Sequence, residues 1–169
     1  QTSLTRPFSW WTEIYAPMND YTQVIFPPDV THVINYERSE VCKFPVATDF
    51  FCENDFSSGM DISMNKNIQF PLSYMTCNSN FNFSGSYDHS AQCGLLYISD
   101  YHISPSKGFS TYGAGEYGKI CYSNQSEDGS FFTRLINGSY TDNIHDFSYL
   151  PPFSEKSVKH FFLPYYQAG

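Results

Sequence analysis

Positive charge is scarce in this chain. Nine Lys and Arg stand against 17 Asp and Glu in 169 residues, a net charge of −8, and the basic residues form no cluster. Nucleic-acid binding neutralises phosphates with basic side chains, so a reader of single or double strands is excluded. An anionic membrane surface is disfavoured for the same reason, and partners should be neutral or basic. Charged residues of either sign make up only 15%, against about 25% in ordinary globular domains. The surface must therefore be built from Ser, Asn, Thr, Tyr and Gly. Long apolar runs are also missing: none approaches the ~20 residues that span a bilayer as a helix, so no direct membrane insertion is expected. No window holds apolar residues at i, i+3, i+4 and i+7 over three turns.

What the chain has in place of helical periodicity is short β-branched and aromatic runs. TQVIF (22–26), THVINY (31–36), MDISM (60–64), IQFPL (68–72), CGLLYIS (93–99), KICYS (119–123), FFTRLI (131–136) and VKHFFL (158–163) are separated by turn formers such as FPPD, SSG, SPSKG and SEDG. This spacing predicts a mostly-β single domain over 1–169, a β-sandwich or barrel with long loops, and at most one short helix at 10–16. The Gly-rich stretch 105–118 reads as a loop.

Five cysteines, Cys42, Cys52, Cys77, Cys93 and Cys121, contain no C-x-x-C pair, which removes zinc-ribbon and thioredoxin readings. Three sequons stand at Asn82, Asn124 and Asn137. Together they point to a secreted, disulfide-stabilised glycoprotein, placed extracellularly or on a virion surface through the secretory pathway. The pairing Cys42–Cys52 with Cys77–Cys93 is one arrangement among several, and it leaves Cys121 over. A chain that starts at Gln1 and stops at PYYQAG reads as a piece of a larger protein that holds the missing cysteine partner.

Catalytic signatures fare poorly. GAGEYG (113–118) matches G-x-G-x-x-G, but that fingerprint needs a preceding strand and a following helix. KICYS reads as β, so no dinucleotide or other cofactor is expected. There is no G-x-S-x-G elbow, and the neighbours Ser84, Ser86, Asp88 and His89 in SGSYDH are no evidence for a triad assembled from distant loops. No H-E-x-x-H, H-x-H or calcium-loop spacing occurs, so no metal is expected. Glu13, Glu37, Glu40, Glu53, Glu116 and Asp88 are available carboxylates without a pattern.

Aromatic residues are the positive signal. Fourteen Tyr, 16 Phe and 2 Trp exceed what a small core holds, so some rings must face solvent, where Tyr offers rigid contact area beside a hydroxyl. Tyr112, Tyr117, Tyr122 and Trp11 are the expected ligand contacts, with Tyr165 and Tyr166 also exposed. Residues 78–94 read as a glycan-bearing loop closed by Cys77–Cys93 at the rim of that surface. The expected function is that of an ectodomain module of a secreted or membrane-anchored surface glycoprotein, cellular or viral, that binds a host receptor protein or a glycan at the cell surface. Viral attachment domains share this composition. The alternatives are a structural domain packed against other domains of the same glycoprotein, or a secreted esterase or glycosidase drawing on His89, His102 or His145.

Overall fold

A computed structural model describes residues 6–8, 10–36, 40–139 and 148–167. In chain order the strands are β1 (Arg6–Phe8), β2 (Trp11–Pro17), β3 (Thr22–Ile25), β4 (His32–Asn35), β5 (Val41–Lys43), β6 (Val46–Ala47), β7 (Phe50–Phe51), β8 (Asn54–Asp55) and β9 (Met60–Asp61). A single 3-10 turn (Asn65–Asn67) precedes β10 (Leu72–Thr76), β11 (Phe83–Asp88), β12 (Cys93–Ser99) and β13 (Ser106–Thr111). Helix α1 (Glu116–Gln125) then leads to β14 (Phe132–Gly138), β15 (Ser148–Leu150) and β16 (His160–Tyr166).

The protein is mostly β, with two larger open antiparallel sheets rather than a closed barrel. One runs β2-β14-β13-β10-β4-β5 and the other β16-β12-β11-β3. Among the described residues there are also three two-stranded pairs, β1-β15, β6-β9 and β7-β8. Side chains alternate across each strand, and the inward set meets in a single core. Leu72, Tyr74, Phe109, Leu135 and Val33 come from the larger sheet, and Val24 and Tyr97 from the smaller. Tyr74 is central: Phe26, Phe44, Phe51 and Phe109 surround its ring, and its hydroxyl donates to the Ile62 carbonyl at 3.0 Å. Part of the aromatic excess is thus core after all.

Several expectations change. Residues 10–16 form most of β2, since Pro17 ends an edge strand as readily as it would end a helix. The segment around KICYS is α1, whose buried residues are only Gly118 and Tyr122. A stripe that narrow gives no helical periodicity to read. The stretch 105–118 is not one loop but β13 and the start of α1, and 78–94 is mainly the β11–β12 hairpin. All five thiols are free, so disulfide stabilisation has no support here. Cys77 follows the end of β10 in the larger sheet. Cys93 lies in the smaller sheet, paired in register with Asp88 at the turn end of β11. Closing Cys77–Cys93 would require Cα atoms within about 7 Å. Cys42 is buried and Cys52 half-buried, each as a thiol.

The edge strand β16 is tied to the core at His160. Its Nδ1 is 2.5 Å from the Tyr97 hydroxyl, which donates to the Thr12 carbonyl, and Trp10 meets the imidazole edge-on. Burial lowers the His160 pKa. The unfolded chain therefore takes up a proton at this residue before the folded one does. The stability due to neutral His160 is complete above about pH 6.5 and falls as pH drops through the folded value. The urea midpoint should decline from pH 7.5 to 5, and His160→Phe should flatten that decline. An equal decline in the variant would place the effect elsewhere.

Candidate functional site

Behind Leu72, Phe109 and Leu135, the larger sheet presents its other face. There a polar row crosses four strands, because Ser73 pairs with Ser110, Ser110 with Arg134, and Arg134 with Tyr15. Its first three members are hydrogen-bonded: Ser73 Oγ lies 2.7 Å from Ser110 Oγ, and Arg134 donates to Ser110 Oγ at 2.8 Å. Glu13 sits 3.6 Å from the same guanidinium. At its Ser73 end the row opens into a cleft of about 650 Å³, within the usual range for small-ligand sites.

Four parts of the chain build the cleft walls. The end of β4 and the start of the next segment give Asn35, Tyr36 and Glu40. The β7–β8 hairpin gives Phe50, Cys52 and Glu53. The approach to β10 adds Phe70 and Pro71, and α1 adds Tyr117. Local bonds hold these parts in place. Asn54, buried in β8, donates through Nδ2 to the Cys52 carbonyl at 2.8 Å and accepts from the Phe70 amide at 3.2 Å. Glu40 Oε2 accepts the Cys52 amide at 2.7 Å. Cys52 and Glu53 are the two central residues of a two-residue hairpin, and both have positive φ, 49° and 64°. Such turns favour Asn and Gly; a Cys-Glu pair there carries backbone strain of the sort that collects at working sites. Burial, and next the Glu40 charge, push the Cys52 thiol up to about 12, so it stays protonated and un-nucleophilic.

α1 reaches the cleft because its N-terminus is clamped to the preceding loop. The Ala114 amide donates to the Ile68 carbonyl at 2.7 Å, and Gly113 has φ +82°. A Cβ on Gly115 would meet the Gln69 carbonyl oxygen at 2.2 Å. The strand and helix that the G-x-G-x-x-G match requires are therefore present, contrary to the reading of KICYS as β. Here, however, the glycines admit the backbone of 68–70 into the space a phosphate would need, and the sheet is antiparallel.

Of the expected contacts, Tyr117 lies in the cleft and is exposed. Tyr122 does not: it is 0% exposed, shares a 2.9 Å hydrogen bond with Thr111 and accepts the Tyr112 amide at 3.0 Å. Tyr112 packs edge-on against Tyr122 and Phe132, and Trp11 is exposed on edge strand β2, away from the cleft. Tyr166 is exposed and Tyr165 half-buried, stacked on Tyr87. Asn82 and Asn124 are exposed, but Asn137 is 1% exposed on β14, where the folded core leaves no room for a sugar. Ser84 and Ser86 are buried within β11, and Asp88 caps its turn by accepting the Ser90 and Ala91 amides. His89 bonds Gln23 and His102 stacks on Tyr101, both outside the cleft; His145 and Glu37 lie outside the described residues. No metal-binding cluster occurs among the described residues. The cleft residues missed from sequence were Asn35, Tyr36, Phe50, Phe70, Pro71 and Ser73, and only the exposed-aromatic surplus hinted at any of them.

No family model matches the chain. Two solved structures share the fold. One is a TPR-domain containing protein from Parabacteroides distasonis ATCC 8503, at TM-score 0.72 and 17% identity, matching 96% of this chain and 26% of that one. The other is the Slr1438 protein from Synechocystis sp. PCC 6803, at TM-score 0.62 and 8% identity, matching 96% of this chain and 46% of the other. The chain thus spans less than half the length of either.

Proposed function

We propose that the chain is a binding module whose ligand is a glycan seated in the cleft beside Ser73. One observation carries the reading: Phe50, Phe70 and Tyr117, 63%, 53% and 58% exposed, come from three separate elements and line one concavity. Large rings left open to water cost free energy unless something covers them. A pyranose presents an apolar face for such rings and hydroxyls for Asn35, Ser73 and the two carboxylates. A concave site favours this ligand over a flat protein surface. The extracellular, secretory setting belongs to the same proposal and is supported by the exposure of Asn82 and Asn124. A virion setting draws nothing from the two neighbours.

The test is a glycan array with the purified chain, followed by titration of the best binder. Tyr117→Ala and Phe70→Ala should each weaken binding about tenfold, the equivalent of about 1.4 kcal/mol per ring contact. Trp11→Ala, three strands from Ser73 in the sheet, should leave it unchanged. Loss with Trp11→Ala alone would move the site. Cleavage of the bound glycan would make the chain a hydrolase instead of a lectin-like module. Absence of glycan binding would favour a structural role against other domains.

A further inference from the structure

We infer that the cleft selects a glycan carrying a cationic amino group, with Glu53 and Glu40 as its counter-charges and the surrounding rings as its cage. This rests on the reading of the cleft as a glycan site. Among the described lining residues the only charged side chains are these two carboxylates; residues 37–39, which join Tyr36 to Glu40, lie outside the described part. On α1, which gives the cleft Tyr117, Lys119 pairs with Glu116 at 2.6 Å, and in the polar row Arg134 is engaged by Glu13 and Ser110. One oxygen of Glu40 is pinned by the Cys52 amide at 2.7 Å, so its charge is fixed in place before any ligand arrives. Its field is felt by the Cys52 thiol, which it helps to hold protonated.

Aromatic faces attract ammonium groups through their quadrupoles, and Tyr36, Phe50, Phe70 and Tyr117 line the same cleft as these carboxylates. The hairpin supplies an independent reason to regard Glu53 as functional. At φ +64° a glycine would be unstrained, yet the sequence keeps a charged side chain there, at the cleft wall. A net charge of −8 adds long-range attraction for a cationic ligand.

The experiment is a calorimetric titration of the chain with three hexasaccharides: fully deacetylated glucosamine, fully acetylated glucosamine and cellohexaose. The deacetylated oligomer should bind at least tenfold tighter than the other two, with an advantage that shrinks between 50 and 500 mM NaCl as screening sets in. Glu53→Gln should erase the preference, bringing the deacetylated oligomer down to the affinity of the two neutral ones. Glu53→Gly should also erase it while raising the urea midpoint, which separates lost charge from lost folding. Equal affinity for all three oligomers would overturn the cationic preference and leave the glycan site standing. A preference that survives Glu53→Gly would overturn it as well. If none of the three binds, and Tyr117→Ala changes nothing across the glycan array, both readings fail.

Discussion

Gly115→Ala is expected to destabilise the protein by about 3 kcal/mol and to weaken cleft binding at least tenfold. The added methyl would sit 2.2 Å from the Gln69 carbonyl oxygen and 3.2 Å from its carbon. Those are backbone atoms, so relief requires the segment 68–70 and α1 to separate. Overpacking usually costs about 1–3 kcal/mol, and the upper end applies when no side chain can yield. Separation would also break the 2.7 Å bond from Ala114 to Ile68. Phe70 and Tyr117, on the two sides of that junction, would lose their common geometry. Gly59→Ala is the control. It sits at φ +79° with nothing within 4 Å of the added carbon, so it should cost only about 1 kcal/mol of backbone strain and spare binding. A Gly115→Ala variant with unchanged urea midpoint and affinity would mean that α1 is not held by this contact.

The strands with clear alternation or dense β-branching were legible in the sequence. THVINY, CGLLYIS, FFTRLI and VKHFFL all fall on or beside β4, β12, β14 and β16. What escaped was structure fixed by partners rather than by local pattern. SKGFST reads as a turn because of its Ser and Gly, yet all six residues of β13 are buried between β10 and β14. There, small residues pack where the pattern predicts exposure. FSGSYD became a strand because β3 and β12 pair on either side of it. The helix was hidden because Tyr122 does most of its packing, and it misled the ligand assignment too, since a buried Tyr looks like an exposed one in sequence. The cleft was readable only as a surplus of rings. Which rings converge depends on the strained hairpin at 52–53 and the glycine clamp at 113–115, and both are tertiary facts.

Lys107→Met should stabilise the protein at pH 7, by about 1–3 kcal/mol, by removing a charge from its interior. Lys107 is 0% exposed and lies on β13 with its side chain on the same face as Phe109, which packs in the core. Among the described residues its Nζ has one hydrogen bond, to the Pro105 carbonyl at 3.5 Å, at the limit of such contacts. Among the described residues, no carboxylate comes within ion-pair distance. The nearby Asp29 charge helps the ammonium, but that carboxylate is itself held by Ser79 and the Asn80 amide. Burial wins, and the pKa falls from 10.5 to about 8. At 1.36 kcal/mol per unit, that gap amounts to about 3 kcal/mol of penalty on the charged form. Exchanging a poorly paired buried charge for an apolar chain of similar length is commonly stabilising.

The sign with pH follows from linkage. Between pH 8 and 10.5 the unfolded chain holds the Lys107 proton and the folded chain does not, so wild-type stability rises with pH across that window. The advantage of Lys107→Met should therefore shrink from pH 8 upward and be nearly gone by pH 10.5. Tyr97, raised to about 12, acts in the opposite direction above pH 10, but equally in both proteins. Urea denaturation of the two chains at pH 7, 9 and 10.5, with equal m-values, is the measurement. A variant less stable than wild type at pH 7 would show that the ammonium makes a bond the fold depends on, and a pH-independent gap would show that its proton is held as tightly as in the unfolded chain.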